Sequence, residues 1–243
     1  FFFTHNPPYQ ILSGLVGSEM CIRDRMSGAN GPAYTSIVGG GAHGCILHYI
    51  ENKDMLKNGD LVLIDAGCEF EDYASDITRT FPVNGKFSDE QAAIYDIVLK
   101  ALKEAIDVTQ AGTPYNKTNE TTIRVITEGL VELGLLKGDI NDLIKAEAHR
   151  EFYMHGAGHW LGLDVHDVGD YKIDGEWRIY EPGMVVTIEP GIYISPKNKK
   201  VDTKWRGIGV RIEDDIVITK TGNINLTSKV PKERDEIEKM MAK

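Results

Sequence analysis

Residues 88–106 carry a helix pattern strong enough to constrain everything around them. Ser88 and Gln91 form a capping box, and Ile94, Ile97, Val98, Ala101, Leu102, Ala105 and Ile106 recur on one apolar stripe. The stripe fades before Gly112-Thr113-Pro114, a stop signal. A stripe of that kind must be buried against a second layer, and the flanking sequence supplies strands. "DLVLIDAG" (60–67) and "ASDITRTF" (74–81) read as an antiparallel hairpin turned through "CEFEDY". Residues 118–136 and 141–152 read as two more helices, divided near Gly134 and Gly138. Short apolar runs follow, "MVVTIEPGIYI" (184–194) and "GVRIEDDIVIT" (209–219), and Pro231 suits the first turn of a last helix ending at Met241. Helices lie between two sets of strands, so the expected fold class is α+β.

Composition narrows the function classes. A chain of 243 residues can bury a substantial core. No window approaches the eighteen apolar residues of a membrane span, so no membrane partner is expected. A net charge of -10 argues against a nucleic-acid footprint, which needs a basic patch. Cys21, Cys45 and Cys68 are odd in number and scattered, which suits a reducing compartment and a cytoplasmic location. Residues 1–25 show no clean periodicity and no basic region of a signal peptide. Their "SGLVGSEMCIRDR" is similar to translated sequencing-adapter read-through, so they are set apart as a non-native segment, with one domain expected over 26–243.

Four carboxylates stand in unusual places. Asp65 ends an apolar strand, Asp76 is expected in the partner strand, and Glu189 follows "MVVTI" directly. Glu213 lies inside "GVRIEDDIVI", where alternation puts Arg211 and Glu213 on the face opposite Val210 and Ile212. One such residue is more often a strand-end cap or a salt-bridge partner. Four beside a histidine-rich segment are a set of hard oxygen donors suited to divalent cations, and their summed charge of -4 matches two ions. An oxygen-rich set suits Mn²⁺, with Zn²⁺, Co²⁺ and Fe²⁺ as alternatives.

"YMHGAGHWLGLDVHD" (153–167) holds three histidines. The four-residue spacing of His155 and His159 suggests the H-E-x-x-H zinc helix, but Gly156 occupies the place of the catalytic glutamate. Gly156, Gly158 and Gly162 also oppose a helix, at about 1 kcal/mol each against alanine. They point instead to backbone passing close to a ligand or another strand.

Taken in order, "LVLIDAG", "SDITRTFPVNGKFS", "FYMHGAGHWLGLDVHDVG", "TIEPGIYI" and "GVRIEDDIVIT" resemble the signature blocks of the pita-bread metallopeptidases, in particular the bacterial Xaa-Pro aminopeptidases. The resemblance runs from about Ile37 to the C-terminus. It implies a curved antiparallel sheet flanked by helices, with Asp65, Asp76, His159, Glu189 and Glu213 as ligands of two metal ions. Asp76 and Glu213 would bridge the ions. His48, His155 and His166 would contact the substrate or support the ligands, with Arg211 as a further support. The implied reaction is release of the N-terminal residue from peptides with proline second, by a metal-bridging hydroxide with Glu189 as general base. Prolidase, which takes only dipeptides, is the nearest alternative, and a metal-free pita-bread interaction module is the alternative outside catalysis. Members carry an additional N-terminal domain that helps assemble a homo-oligomer, so this chain is expected to be the C-terminal part of a longer protein. His43 has no implied role and is expected in a loop. Cys68 is expected to pack in the hairpin.

Overall fold

Two interrupted ladders of strands form the frame, and the computed structural model describes them within residues 24–242. The segment 1–25 that the sequence sets apart lies, up to residue 23, outside the described residues. β1 (Gly31–Pro32) precedes β2 (Ile37–Gly40) and a one-turn 3-10 helix (Gly41–Cys45). Then come β3 (Leu61–Asp65), β4 (Cys68–Phe70), β5 (Tyr73–Ala74) and β6 (Thr78–Pro82). β3 pairs antiparallel with β6 from Leu61↔Pro82 to Asp65↔Thr78, the expected hairpin. Its tip is a smaller hairpin, β4 with β5, turned at Glu71 and Asp72, which both adopt positive φ as a tight two-residue turn requires. Cys68 is half-buried there and accepts into its carbonyl from Ser75 Oγ at 2.9 Å.

α1 (Asp89–Val108) begins at Ser88 with both capping-box bonds formed. It buries Ile94, Tyr95, Val98, Leu99 and Leu102 completely or nearly so. Each such side chain contributes roughly 1.5–3 kcal/mol by leaving water. α2 (Asn116–Glu132) packs on α1, with Gly129 close enough to Ile97 that a Cβ would meet it at 2.6 Å. The pattern at 141–152 does not form one helix. α3 (Ile140–Lys145) stops where Glu147 turns left-handed at φ 51°, and a separate 3-10 turn (Ala148–Glu151) carries His149 into the core.

β7 (Lys172–Ile173) and β8 (Glu176–Trp177) form a surface hairpin. The second ladder comprises β9 (Val185–Ile188), β10 (Gly191–Tyr193), β11 (Gly209–Arg211), β12 (Asp214–Thr219) and β13 (Gly222–Asn225). β9 pairs with β12 and β10 with β11, leaving residues 189–190 opposite 212–213 as a matched break. Pro190 has no N–H to continue the ladder, and the Glu213 N–H turns instead to the Thr78 carbonyl at 3.1 Å. Glu213 is therefore in a break rather than inside a strand, which corrects the sequence expectation. Asp76 needs a similar correction. It precedes β6 by two residues, where the chain crosses Gly67 so tightly that a Cβ on Gly67 would lie 1.6 Å from the Ser75 carbonyl oxygen.

α4 (Arg234–Met241) starts later than Pro231 suggests. The carbonyls of Val230 and Pro231 accept from Arg79, and that of Lys232 accepts from the Tyr95 hydroxyl, so this stretch serves tertiary partners instead of a helix. Val210, Ile212 and Ile188 face the core beneath α1, and Arg211 and Glu213 face the opposite side. Cys45 and Cys68 are free thiols. Among the described residues no helix is long and apolar enough to cross a membrane.

Candidate metal centre

The breaks and strand ends converge on one cavity of about 270 Å³, lined by His48, Asp65, Asp76, His155, His159, His166, Glu189, Arg211 and Glu213. Every site residue expected from the sequence lines it. Asp65 arrives on the last residue of β3, Asp76 just before β6, and Glu189 and Glu213 from the two facing breaks. Ligand atoms of Asp76, His159 and Glu213 lie within 4.8 Å of one another. His159 Nε2 is 3.4 Å from Asp76 Oδ2 and 3.7 Å from Glu189 Oε1.

Glycines deliver His159. Residues 153–167 contain no helix, which disposes of the zinc-helix pattern. Instead the backbone runs against the end of β9, with the Thr187 N–H donating to the His159 carbonyl at 2.9 Å and the Glu189 N–H to Ala157 at 2.8 Å. A Cβ on Gly158 would lie 1.9 Å from the Thr187 carbonyl oxygen, so only glycine allows this approach. His159 Nδ1 donates to the Trp160 carbonyl at 2.9 Å, which fixes the ring and turns Nε2 towards Asp76 and Glu189 in the cavity.

The electrostatics are those of a site short of positive charge. Burial pushes the Asp65 carboxyl up, against the pull of Arg211 and with the help of Asp76. Burial raises Glu189 to about 7, against the pull of His159 and Arg211. Glu213 stands well above the usual carboxylate range, through burial first and then the charges of Asp76, Glu189 and Asp65. Arg211 is the one arginine among the described residues that line the cavity: Nη2 donates to Asp65 at 2.5 Å, Nε to Thr78 Oγ1 at 3.1 Å and Nη1 to the Tyr193 hydroxyl at 3.2 Å. Thr78 Oγ1 in turn donates to Glu213 Oε2 at 2.6 Å. His155 shares the Tyr193 hydroxyl through Nε2 at 2.8 Å, and burial, then Arg211, lowers it to about 4. In His159 burial works downward, but the hydrogen bond to Asp76 and the charge of Glu189 outweigh it and raise the imidazole. His166 stacks edge-on against His159 with centroids 4.2 Å apart, and burial and that neighbour lower it. His48 is exposed on the rim.

Several participants escaped the sequence reading. The Tyr34 hydroxyl donates to Asp65 Oδ1 at 2.5 Å and also contacts Asp76 Oδ1, yet nothing in the pattern around Tyr34 marks it. Tyr193 sits in the quoted "GIYI", where the sequence assigns it no role. Asp215, whose Oδ2 accepts the Asp76 N–H at 3.2 Å, is buried and raised to about 7 by burial. The second aspartate of "EDD" in an apolar strand was its only signal.

Clustered, buried, like-charged oxygen donors with one prepared imidazole fit divalent cations. Residues 13–220 match metallopeptidase family M24. The chain belongs to metallopeptidase family M24. Its pita-bread fold is likewise that of solved relatives. The structure of aminopeptidase PepP from Pseudomonas aeruginosa superposes with a TM-score of 0.95 at 57% identity, over 96% of this chain and 53% of that one. An Escherichia coli aminopeptidase P variant in complex with substrate gives 0.93 at 53% identity, over 96% and 52%. The Xaa-Pro aminopeptidase of Escherichia coli K12 is 58% identical over 214 residues, 88% of this chain and 48% of that protein. This M24 chain thus spans about half the length of the curated relatives it matches.

Proposed function

We propose that this M24 chain carries the catalytic centre of a dimetal Xaa-Pro aminopeptidase, which releases the N-terminal residue from peptides with proline in second place. The observation that carries the reading is the meeting of Asp65, Asp76, His159, Glu189 and Glu213 on one cavity, with His159 Nε2 turned towards the carboxylates of Asp76 and Glu189. These five would hold two divalent cations, with Asp76, His159 and Glu213 close enough to share one ion-sized space. Mn²⁺ suits the oxygen-rich set best. Bound cations of this kind lower the pKa of a water and polarise a carbonyl.

The chain's own groups supply the rest. Glu189 is the most open of the four carboxylates, with its side chain 20% exposed, and is our general base. It takes the proton of the attacking water and delivers it to the departing proline nitrogen. That nitrogen carries no N–H in the substrate, so the site must accept a ring and need not satisfy a donor. His48 and His166, on the rim, would donate to the carbonyl oxygen as it gains charge, a role typically worth a few kcal/mol. His155 is tied to Tyr193 and through it to Arg211, so it holds the wall in place beside the substrate. A cytoplasmic setting is part of this reading, on the odd and scattered cysteines of the sequence.

Purified protein loaded with Mn²⁺ is assayed on an Xaa-Pro-Xaa tripeptide and an Xaa-Pro dipeptide. Release of only the first residue from the tripeptide, lost on chelation and restored by Mn²⁺, is the expected result. Cleavage of the dipeptide alone would replace the aminopeptidase with a prolidase, and absence of metal uptake and hydrolysis would leave a non-catalytic module.

A further inference from the structure

The loop that carries His48 to the rim leaves β2 at Gly40 and is tied at three points to one carboxylate. Asp54 Oδ2 accepts the Gly40 N–H at 3.0 Å, where the loop begins. Asp54 Oδ1 accepts His43 Nδ1 at 2.6 Å, in the 3-10 helix, and the Tyr49 hydroxyl at 3.0 Å, next to His48 itself. The His43 ring lies flat on the Tyr49 ring, with centroids 4.5 Å apart and planes at 17°. Tyr49 is buried and His43 half-buried. His43 therefore has a built environment where the sequence suggests only a loop residue.

Asp54 also extends a pattern along the sheet edge. β2 is an edge strand, and its outward N–H groups at Val38 and Gly40 are taken by the side chains of Asn52 and Asp54, at 2.8 and 3.0 Å. Two side chains stand in for a missing strand, so the returning chain is held against β2. Among the described residues the His48 imidazole makes no hydrogen bond, so its place on the rim comes from the backbone that bears it. A rim group held only by its loop is positioned as well as the loop is braced.

We propose that the His43–Asp54–Tyr49 cluster is a positioning brace that holds His48 on the rim of the dimetal cavity. His43 acts through the loop and does not touch the substrate. The kinetic part of this inference rests on the aminopeptidase reading, but the placement of His48 does not.

Two variants separate the hydrogen bond from the packing. H43F keeps a ring on Tyr49 and removes the Nδ1 donor, whereas H43N places an amide nitrogen where Nδ1 was. With the Mn²⁺-loaded full chain, kcat on the tripeptide is expected to fall roughly 10- to 100-fold in H43F and to recover in H43N, with two metals per chain retained in both. With the metal-free, histidine-labelled protein, the His48 ring resonance should shift or broaden in H43F and return in H43N. Unchanged His48 resonance and kcat in H43F would overturn the brace, as would equal losses in both variants. If the wild type hydrolyses nothing, the aminopeptidase reading fails, and the resonance alone still decides for or against the brace.

Discussion

Arg211 and Asp65 form a buried ion pair in the wall of the cavity, with Nη2 and Oδ2 2.5 Å apart and both side chains withdrawn from water. Removing the arginine strands a buried carboxylate and also deprives Thr78 and Tyr193 of a donor. R211M is expected to cost about 3–5 kcal/mol of stability. Urea unfolding of the metal-free protein measures it, and a loss under about 1 kcal/mol would show that Asp65 does not depend on this partner.

Asp76 and Glu213 sit deepest among the ligand candidates that share one ion-sized space with His159. D76A and E213A are each expected to bind fewer than two Mn²⁺ per chain and to hydrolyse nothing above background. Elemental analysis after gel filtration gives the stoichiometry, and two ions with full activity would refute the ligand assignment. E213Q has a second, opposite consequence. It removes a crowded buried carboxyl, so above neutral pH the chelated variant should melt at a higher temperature than the chelated wild type.

Glu189 sets a pH dependence whose sign follows from linkage. Burial lifts its folded-state pKa to about 7, above the ordinary 4.5. Between those values the folded protein holds more protons than the unfolded chain, so the stability of the metal-free protein falls as pH rises from about 4.5 to about 7. His155, lowered to about 4 in the fold, works in the other direction below 6.5, so the comparison must be a difference. Subtracting the E189Q melting profile from that of the chelated wild type should isolate a decline over that window. A flat difference would contradict the buried-carboxyl account.

Gly158 has no room for a methyl group, because its Cβ would meet the Thr187 carbonyl at 1.9 Å. G158A must push the 157–160 segment off β9, at roughly 1–3 kcal/mol, and carry His159 with it. Calorimetry and metal titration should both register the change. A variant with wild-type stability and metal affinity would mean that the backbone approach there is not needed.

The α1 stripe, its capping box and the β3–β6 hairpin were legible in the sequence, because each depends on residues near one another and on a period that backbone geometry imposes. The ligand candidates were legible for a related reason: carboxylates at the ends of apolar strands are costly unless something compensates them. Other features arose only in three dimensions. Pro190 breaks one strand, but it is the turn of the Glu213 N–H to Thr78 on a distant strand that puts Glu189 and Glu213 face to face. Tyr34 joins Asp65 and Asp76, 31 and 42 residues away, and Asp54 ties a loop together through side-chain bonds that leave no periodic trace. The sequence by itself determined the long helix, the first hairpin and the donor chemistry, since these are written in local pattern and residue type. Tertiary structure alone decided which donors share a cavity and which groups hold them, since those contacts join residues that no local rule connects.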